Sequence, residues 1–106
     1  MCSSDLEYEK AREHLEKSLA IQKEIGHREG EEVSYTNLGW TFESVGEYEK
    51  ALQYLQKSLD VSRKTGHRHS LAMSYLNLGV KSCSLGRYGK ANEYNQKALE
   101  IGRAHV

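Results

Sequence analysis

The side chains of this chain that could carry metal or covalent chemistry are five histidines and two cysteines. A zinc ion needs its ligand atoms within about 2.3 Å, and a nucleophilic cysteine needs a neighbouring base. His67 and His69 have no cysteine or carboxylate at ligand spacing, and no histidine recurs near Cys83. The types and spacing of these residues therefore predict no metal site, no cofactor and no enzymatic activity.

Two asparagines have a more suggestive context. The stretch "SYTNLGW" at 34–40 returns as "SYLNLGV" at 74–80, and it places Asn37 and Asn77 beside a Leu-Gly pair. An amide offers hydrogen-bond donors and an acceptor, so it can hold a peptide backbone whatever side chains the peptide carries. These asparagines are candidate ligand-binding groups, and their use depends on the elements that position them.

The repeated phrase belongs to a forty-residue unit that spans nearly the whole chain. When 8–47 is aligned with 48–87 without gaps, eighteen of forty positions are identical, and a third copy begins at Tyr88. A period of roughly 20 to 50 residues is typical of stacked repeat arrays. The sequence therefore predicts an array of similar units.

Each unit has the pattern of two helices. Within 48–65 the apolar and small residues recur at i, i+3, i+4 and i+7, and Gly66 follows as a helix stop. Gly46 ends the preceding helix in the same way, and the turn after it is short enough to make the two helices antiparallel. We predict an all-α fold of five helices without strands; their approximate ranges are 8–25, 29–44, 48–65, 69–84 and 88–100.

Small residues predict where the helices approach one another. Gly39 lies one turn from Tyr35 and Phe42, and Ala51 lies one turn from Leu55 on the next helix. A glycine opposite an alanine permits a helix spacing at the short end of the usual range of about 8–10 Å. With these features, "NLGWTFESVGEYEKALQYLQKSL" resembles the tetratricopeptide repeat (TPR). The forty-residue period resembles the longer TPR variety found in kinesin light chains, in Leu-Gly-Asn repeat adaptors and in many bacterial regulators.

The resemblance implies where the candidate residues lie. One stripe of the first helix, which includes Tyr35, Leu38 and Phe42, packs inside the unit, and a second stripe lies about 100° around the helix. In TPR arrays the first helices line a concave inner surface that binds peptides, so the resemblance places the second stripe in such a groove. The residues of the second stripe are Val33, Asn37, Trp40, Ser44, Met73, Asn77, Val80 and Ser84.

Two structural alternatives remain open for the second stripe. Asn37 and Asn77 could instead satisfy backbone groups within the array, and Trp40 could pack on an adjacent helix. Val80 stands at the position equivalent to Trp40, so the fold itself does not require a tryptophan there.

Some positions depart from the TPR pattern. His27 and His67 stand where relatives usually carry aspartate, a stronger N-cap, which predicts a loss of about 1 kcal/mol for each following helix. In the second unit, Ser82 and Asn95 replace a phenylalanine and a leucine of the first. We expect Ser82 and Asn95 to face each other and share a hydrogen bond, so that changing Asn95 alone to leucine destabilises the protein.

The composition excludes several classes of partner. Fifteen basic residues balance fifteen acidic ones, so no basic field is present to recruit nucleic acid or an anionic membrane. No apolar run approaches the roughly 20 residues of a membrane span, and two cysteines make no disulfide framework. We predict one domain at most, in a reducing cytoplasm, with protein or peptide partners, no nucleic acid and no membrane.

The two termini do not follow the repeat. "CSSDL" and "IGRAHV" resemble translated DNA-sequencing adapters, so 1–6 and 101–106 are expected to be foreign to the native protein. The remaining segments are then 7–28, the second helix of a truncated repeat; 29–68, a complete repeat; and 69–100, a repeat truncated near its end. Such a slice lacks polar capping helices, so we expect self-association through its uncapped ends.

The sequence predicts a protein-interaction scaffold module, one slice of a longer array that binds a peptide or partner segment in its concave groove. Two alternatives to this interpretation stay open. In the first, the slice is purely architectural and stacks or oligomerises without a ligand. In the second, it is the signal-peptide-sensing segment of a bacterial regulator.

Overall fold

The computed structural model describes residues 2–104 and contains five helices that follow one another along the chain. These are α1 (Cys2–Ile25), α2 (Arg28–Ser44), α3 (Tyr48–Thr65), α4 (Arg68–Ser84) and α5 (Tyr88–Ala104). Residues 2–104 contain no strand. The all-α prediction is confirmed, and the bounds of α2, α3 and α4 agree with the predicted ranges to within one residue.

The two outer helices are longer than predicted. Helix α1 begins at Cys2 rather than near residue 8, and α5 continues to Ala104 rather than ending at 100. The chain has no proline, so no residue of that kind breaks the helices at the expected limits. Of the two terminal segments, Met1, His105 and Val106 lie outside the described residues.

Glycines in the left-handed backbone region separate the helices. Gly26 and Gly66 lie one unit apart, as do Gly46 and Gly86, and all four have φ between 73° and 82°. Residues with a Cβ rarely adopt this conformation, so glycine is favoured at each turn. Because the turns repeat, the successive helix pairs have similar geometry.

The helices stack as a flat array. Close backbone approach within the described chain joins only consecutive helices: α1 with α2, α2 with α3, α3 with α4 and α4 with α5. The array measures 46 × 36 × 17 Å. None of the described helices is long and apolar enough to cross a membrane.

The closest packing of α2 on α3 occurs at Gly39. A Cβ built there would lie 3.1 Å from the Leu55 side chain and 3.2 Å from the Ala51 carbonyl oxygen. Ala51 and Leu55 are themselves almost completely buried. The predicted approach of a glycine to an alanine is therefore confirmed. The same approach occurs between α4 and α5, where a Cβ built at Gly79 would lie 3.4 Å from the Ala91 carbonyl oxygen.

Two apolar clusters run along the array, each with residues from three consecutive helices, and polar side chains bond across the seams between units. The Oγ atoms of Ser62 and Ser74 lie 3.0 Å apart in the buried seam between α3 and α4. One unit earlier, Ser34 Oγ donates to Gln22 Oε1 at 2.7 Å between α1 and α2. The residues of the two clusters are Leu19, Tyr35, Leu38, Phe42, Ala51 and Val61 in the first, and Leu55, Leu59, Tyr75, Leu78 and Ala98 in the second.

The two histidines before α2 and α4 behave differently. His27 Nδ1 accepts a hydrogen bond from the Gly30 backbone N–H at 3.0 Å, so it does cap α2, against the sequence-based expectation. His67 makes no side-chain cap bond, and its Nδ1 lies 3.6 Å from Glu29 Oε1 instead. The reason lies in the first turn of each helix. A Cβ at Gly30 of α2 would lie only 2.5 Å from His27 Nδ1, whereas the equivalent residue of α4 is Ser70, which has a Cβ.

This difference predicts the effect of improving each cap. We expect His67→Asn to raise the free energy of unfolding by about 1 kcal/mol, because asparagine is a strong N-cap and position 67 already has extended backbone. His27→Asn is the matched control, and it should gain less than about half as much because it exchanges one cap for another. Urea denaturation measures both; equal gains would contradict capping by His27.

The expected hydrogen bond between Ser82 and Asn95 is wrong. Both residues are described, and they lie on different sides of the α4–α5 seam: Ser82 faces a cleft beside Tyr94, whereas Asn95 lies against Gly79. Asn95 follows Tyr94 by one residue, and one residue turns a helix by about 100°. The side chain of Asn95 therefore points away from the cleft that Tyr94 shares with Ser82.

The corrected geometry reverses the expected effect of Asn95→Leu. Leucine at 95 would restore on Gly79 the apolar contact that Leu55 makes on Gly39, so we expect a gain of about 0.5–1 kcal/mol in unfolding free energy. Asn92→Leu, at an exposed position of the same helix, is the control and should have no comparable effect. Thermal and urea unfolding measure both variants, and a clear loss of stability in Asn95→Leu would contradict this packing.

Candidate functional site

The second stripe lies on α2 and α4, and none of its eight residues is buried. Its four apolar members are exposed to solvent: Val33 is 58% exposed, Trp40 49%, Met73 44% and Val80 55%. The two serines of the stripe are also exposed, and the two asparagines are half-buried. The stripe is thus an apolar surface with polar groups set into it.

The opposite stripe of each first helix explains this orientation. Tyr35, Leu38 and Phe42 are buried against the neighbouring helices, as predicted. Their burial fixes the rotation of α2 about its own axis. At about 100° per residue, the second-stripe residues of α2 lie roughly 180° around the helix from the buried stripe, farther than the expected 100°, so they face away from the core. The same holds in α4, where Tyr75 and Leu78 are buried.

The side-chain amides of Asn37 and Asn77 form no hydrogen bond to other described residues, and neither amide is among the described atoms that are buried without a partner. The backbone oxygen of Asn37 accepts a 2.8 Å bond from Thr41 Oγ1 within the same helix. The amide donors and acceptors of both asparagines are therefore accessible to another molecule. The alternative in which these amides satisfy backbone groups within the array is not observed among the described residues.

An ion pair links the two first helices beside the stripe. Lys81 Nζ contacts Glu43 Oε2, and both side chains are largely buried, at 17% and 28% exposure. Lys81 follows Val80, and Glu43 precedes Ser44, so the pair holds the two halves of the stripe side by side. Sequence reasoning missed this contact, because opposite charges 38 residues apart carry no signal until the register of the array is known.

The largest cleft along the stripe lies between α1 and α2, with a volume of about 690 Å³. Its α2 wall includes Asn37, Trp40 and Ser44, whereas Met73 and the other stripe residues of α4 lie outside it. The structure thus brings three of the eight predicted residues into one cleft. The α1 wall consists of Glu7, Tyr8, Ala11, His14 and Leu15.

This cleft exists because α1 has an uncovered face. Ala11 is exposed, whereas the equivalent Ala51 and Ala91 are only 1% and 5% exposed. Those two alanines pack against a glycine of the first helix in their own unit. No helix of the described chain occupies the corresponding place beside Ala11.

Two cationic side chains pack on tyrosines at equivalent positions of the array. Arg63 donates a 3.0 Å hydrogen bond to the Tyr75 hydroxyl, which raises the pKa of Arg63, and a side-chain hydrogen bond with Tyr35 likewise raises the pKa of Lys23. Lysine and arginine are cationic at neutral pH even at their ordinary pKa values, so these contacts suit packing on a tyrosine rather than proton transfer. Among residues 6–103, whose side chains the structure describes, no group of three or more histidine, cysteine or acidic residues is placed to hold a metal ion.

Comparisons with known proteins agree with this architecture. The sequence matches the family model described as tetratricopeptide repeat over residues 4–64 and again over 43–104. Among solved structures, the chain is similar to the crystal structure of the apo form of RapI, with 30% sequence identity and a TM-score of 0.80. The similarity covers 96% of this chain but only 37% of the RapI chain. A comparison with curated proteins finds no match.

Proposed function

This chain belongs to the tetratricopeptide repeat family, and on that basis we propose that it binds an extended segment of a partner protein along the second stripe of α2 and α4. The family and the fold are those of a protein–protein interaction scaffold, and such modules are typically not enzymes. The finer proposal is that the second stripe is the surface that contacts the partner, and that its apolar residues and asparagines make the contacts.

One observation carries the proposal. Met73 and Val80 stay 44% and 55% exposed on α4 although α2, the first helix of the preceding unit, is in place beside them. Stacking one unit on the next therefore leaves the second stripe uncovered. Exposed apolar residues that form a continuous surface rather than single spots favour an interaction site.

The asparagines give this surface a way to hold a peptide. Asn37 and Asn77 are one unit apart, and their amides have no bonding partner among the described residues. A backbone lying along the stripe offers N–H and C=O groups at regular intervals, and an amide can bond to both. We expect the asparagines to fix the direction and register of the bound segment more than its affinity.

Trp40 supplies the apolar anchor. It is half exposed and lines the 690 Å³ cleft between α1 and α2, which is large enough for a side chain of the partner. Binding energy at protein interfaces concentrates on such aromatic residues in pockets. The balanced charge of the chain favours recognition by apolar and hydrogen-bonding contacts, with modest salt dependence.

Peptides selected from a displayed random library on the immobilised chain test the groove. For a selected peptide, we expect Trp40→Ala to weaken binding by at least about 30-fold, equivalent to about 2 kcal/mol. The double change Asn37→Ala with Asn77→Ala should weaken it about 5- to 100-fold, because each neutral hydrogen bond contributes about 0.5–1.5 kcal/mol. Titration calorimetry measures the affinity, and melting curves measure the fold.

Two matched controls separate binding from stability. Tyr88→Ala removes an exposed aromatic side chain outside the stripe, and Asn92→Ala removes an exposed amide from α5; both should keep the affinity unchanged. If the stripe variants melt early and still bind every selected peptide, the stripe is structural and the groove proposal is wrong. A signal-peptide-sensing segment of a regulator would use the same groove and give the same result.

The uncovered face of α1 favours a second, architectural role. Ala11 lines the same cleft as Trp40 and is exposed where its equivalents are buried against a helix. As the alternative occupant of that cleft, in place of a side chain of the partner, we propose a further helix, and we propose that the isolated chain self-associates through this face.

Sedimentation velocity over a range of concentrations tests the self-association. We expect a shift from monomer to larger species as concentration rises, and Ala11→Lys should restore the monomer because it places a charge on the uncovered face. Ala20→Lys, at another exposed alanine of α1, is the control and should leave the association unchanged. A chain that is monomeric at every concentration would contradict the proposal.

A further inference from the structure

We propose that the second unit carries a separate binding site, a cleft between α3, α4 and α5 that takes the aromatic ring of a phenylalanine or tyrosine side chain from a partner protein. The cleft has a volume of about 260 Å³ and is open to solvent on one side. None of its lining residues belongs to the second stripe. They are Glu49, Leu52, Gln53, Gln56, Leu78, Ser82, Arg87, Lys90 and Tyr94.

The first unit shows what fills the equivalent place. There the ring of Phe42 stacks on Tyr54, with the ring centres 5.2 Å apart and the planes within 7°. Tyr8 meets the same ring edge-on at 6.2 Å, and Lys50 Nζ lies 5.4 Å from the ring centre. Phe42 is 4% exposed, so this ring is an integral part of the first core cluster.

The second unit keeps the surroundings of that ring but not the ring. Ser82 occupies the position of Phe42, and Lys90 occupies that of Lys50 and lines the cleft. Tyr94 keeps the pose of Tyr54. The ring centres of Tyr94 and Tyr75 lie 6.2 Å apart with an angle of 32° between the planes, and those of Tyr54 and Tyr35 lie 6.2 Å apart with an angle of 34°. The face of Tyr94 that corresponds to the stacked face of Tyr54 is therefore open to a ring from elsewhere.

Another tyrosine shows the same missing contact. Tyr48 stands at the position of Tyr8, which meets Phe42 edge-on in the first unit. On α3, Tyr48 is 44% exposed and has no ring of the described chain against it that corresponds to Phe42, but it is not among the residues that line the cleft. An incoming ring in the cleft would thus find one aromatic partner already placed, the stacking face of Tyr94.

The dimensions and chemistry of the cleft fit an aromatic side chain that enters from the surface. An apolar cavity of about 150 Å³ accommodates benzene, so 260 Å³ is sufficient for a phenyl or phenol ring. Leu52 and Tyr94 provide apolar contact, with the buried Leu78 behind them. Gln56 Oε1 accepts a 3.4 Å hydrogen bond from the Tyr94 hydroxyl, which leaves the amide N–H groups of Gln56 and the whole amide of Gln53 to bond to a backbone that remains outside. This arrangement favours a ring attached to a peptide over a free aromatic compound.

Three small compounds test the site on the full chain by NMR. N-acetylphenylalaninamide should shift the amide signals of Gln56 and Ser82 and the ring signals of Tyr94, whereas N-acetylalaninamide should not. Benzyl alcohol should bind at least about 3-fold more weakly than N-acetylphenylalaninamide, because it lacks the amide groups that can bond to the glutamines. Absence of shifts up to the solubility of N-acetylphenylalaninamide would overturn the proposal, and equal binding of benzyl alcohol would overturn the assignment to a partner's side chain.

Two variants locate the binding. Ser82→Phe should abolish the shifts because its own ring fills the cleft, whereas Cys83→Phe places the same ring at the next, exposed position and should leave them intact. Tyr94→Leu should weaken binding about 3- to 10-fold, the loss expected for one aromatic contact. Binding that survives Ser82→Phe would overturn the proposal; if that variant does not fold, unchanged affinity in Tyr94→Leu would do so.

Discussion

The contact between the backbone of α2 at Gly39 and the carbonyl group of Ala51 on α3 sets the geometry of each unit. A Cβ built at Gly39 would lie 3.2 Å from the Ala51 carbonyl oxygen, tighter than ordinary van der Waals contact, so glycine favours this close approach of the two helices. The approach buries Leu38 completely and thereby fixes how α2 is rotated. Asn37 and Trp40, which flank this inward-facing stretch, then have to lie on the outward side. The candidate site is a direct consequence of the packing on its other side.

Repetition extends this local rule into a surface. The left-handed turn glycines return every forty residues, and a hydroxyl pair, Ser62 with Ser74, joins one unit to the next in a buried seam. The ion pair of Glu43 and Lys81 aligns the two first helices. As a result, the stripe residues of α2 and α4 lie on either side of this ion pair, and the proposed binding of one partner segment by both units depends on that arrangement.

The sequence was sufficient for every feature that depends on periodicity: the five helices, the stripe that packs inside, and the close approach at Gly39. The sequence was insufficient where the outcome depends on the presence and spatial position of a single atom. Whether His27 caps its helix is decided by the missing Cβ of Gly30, three residues away. The sequence predicts that Ser82 and Asn95 face each other because they replace two apolar residues, but Asn95 lines a different cleft, beside Leu76 and Ala98. The cleft beside Ser82 depends on Tyr94 keeping the pose of Tyr54 where the ring of Phe42 is missing, and periodicity alone does not encode that packing.

The chain has a single tryptophan, Trp40, so its fluorescence reports on the centre of the second stripe without any label. The measurement is the emission spectrum and the acrylamide quenching of Trp40 while a selected peptide is titrated. An open groove predicts long-wavelength emission and efficient quenching in the free chain, followed by a shift to shorter wavelength and protection from acrylamide as the peptide saturates. Binding that leaves both the emission and the quenching unchanged would contradict the account.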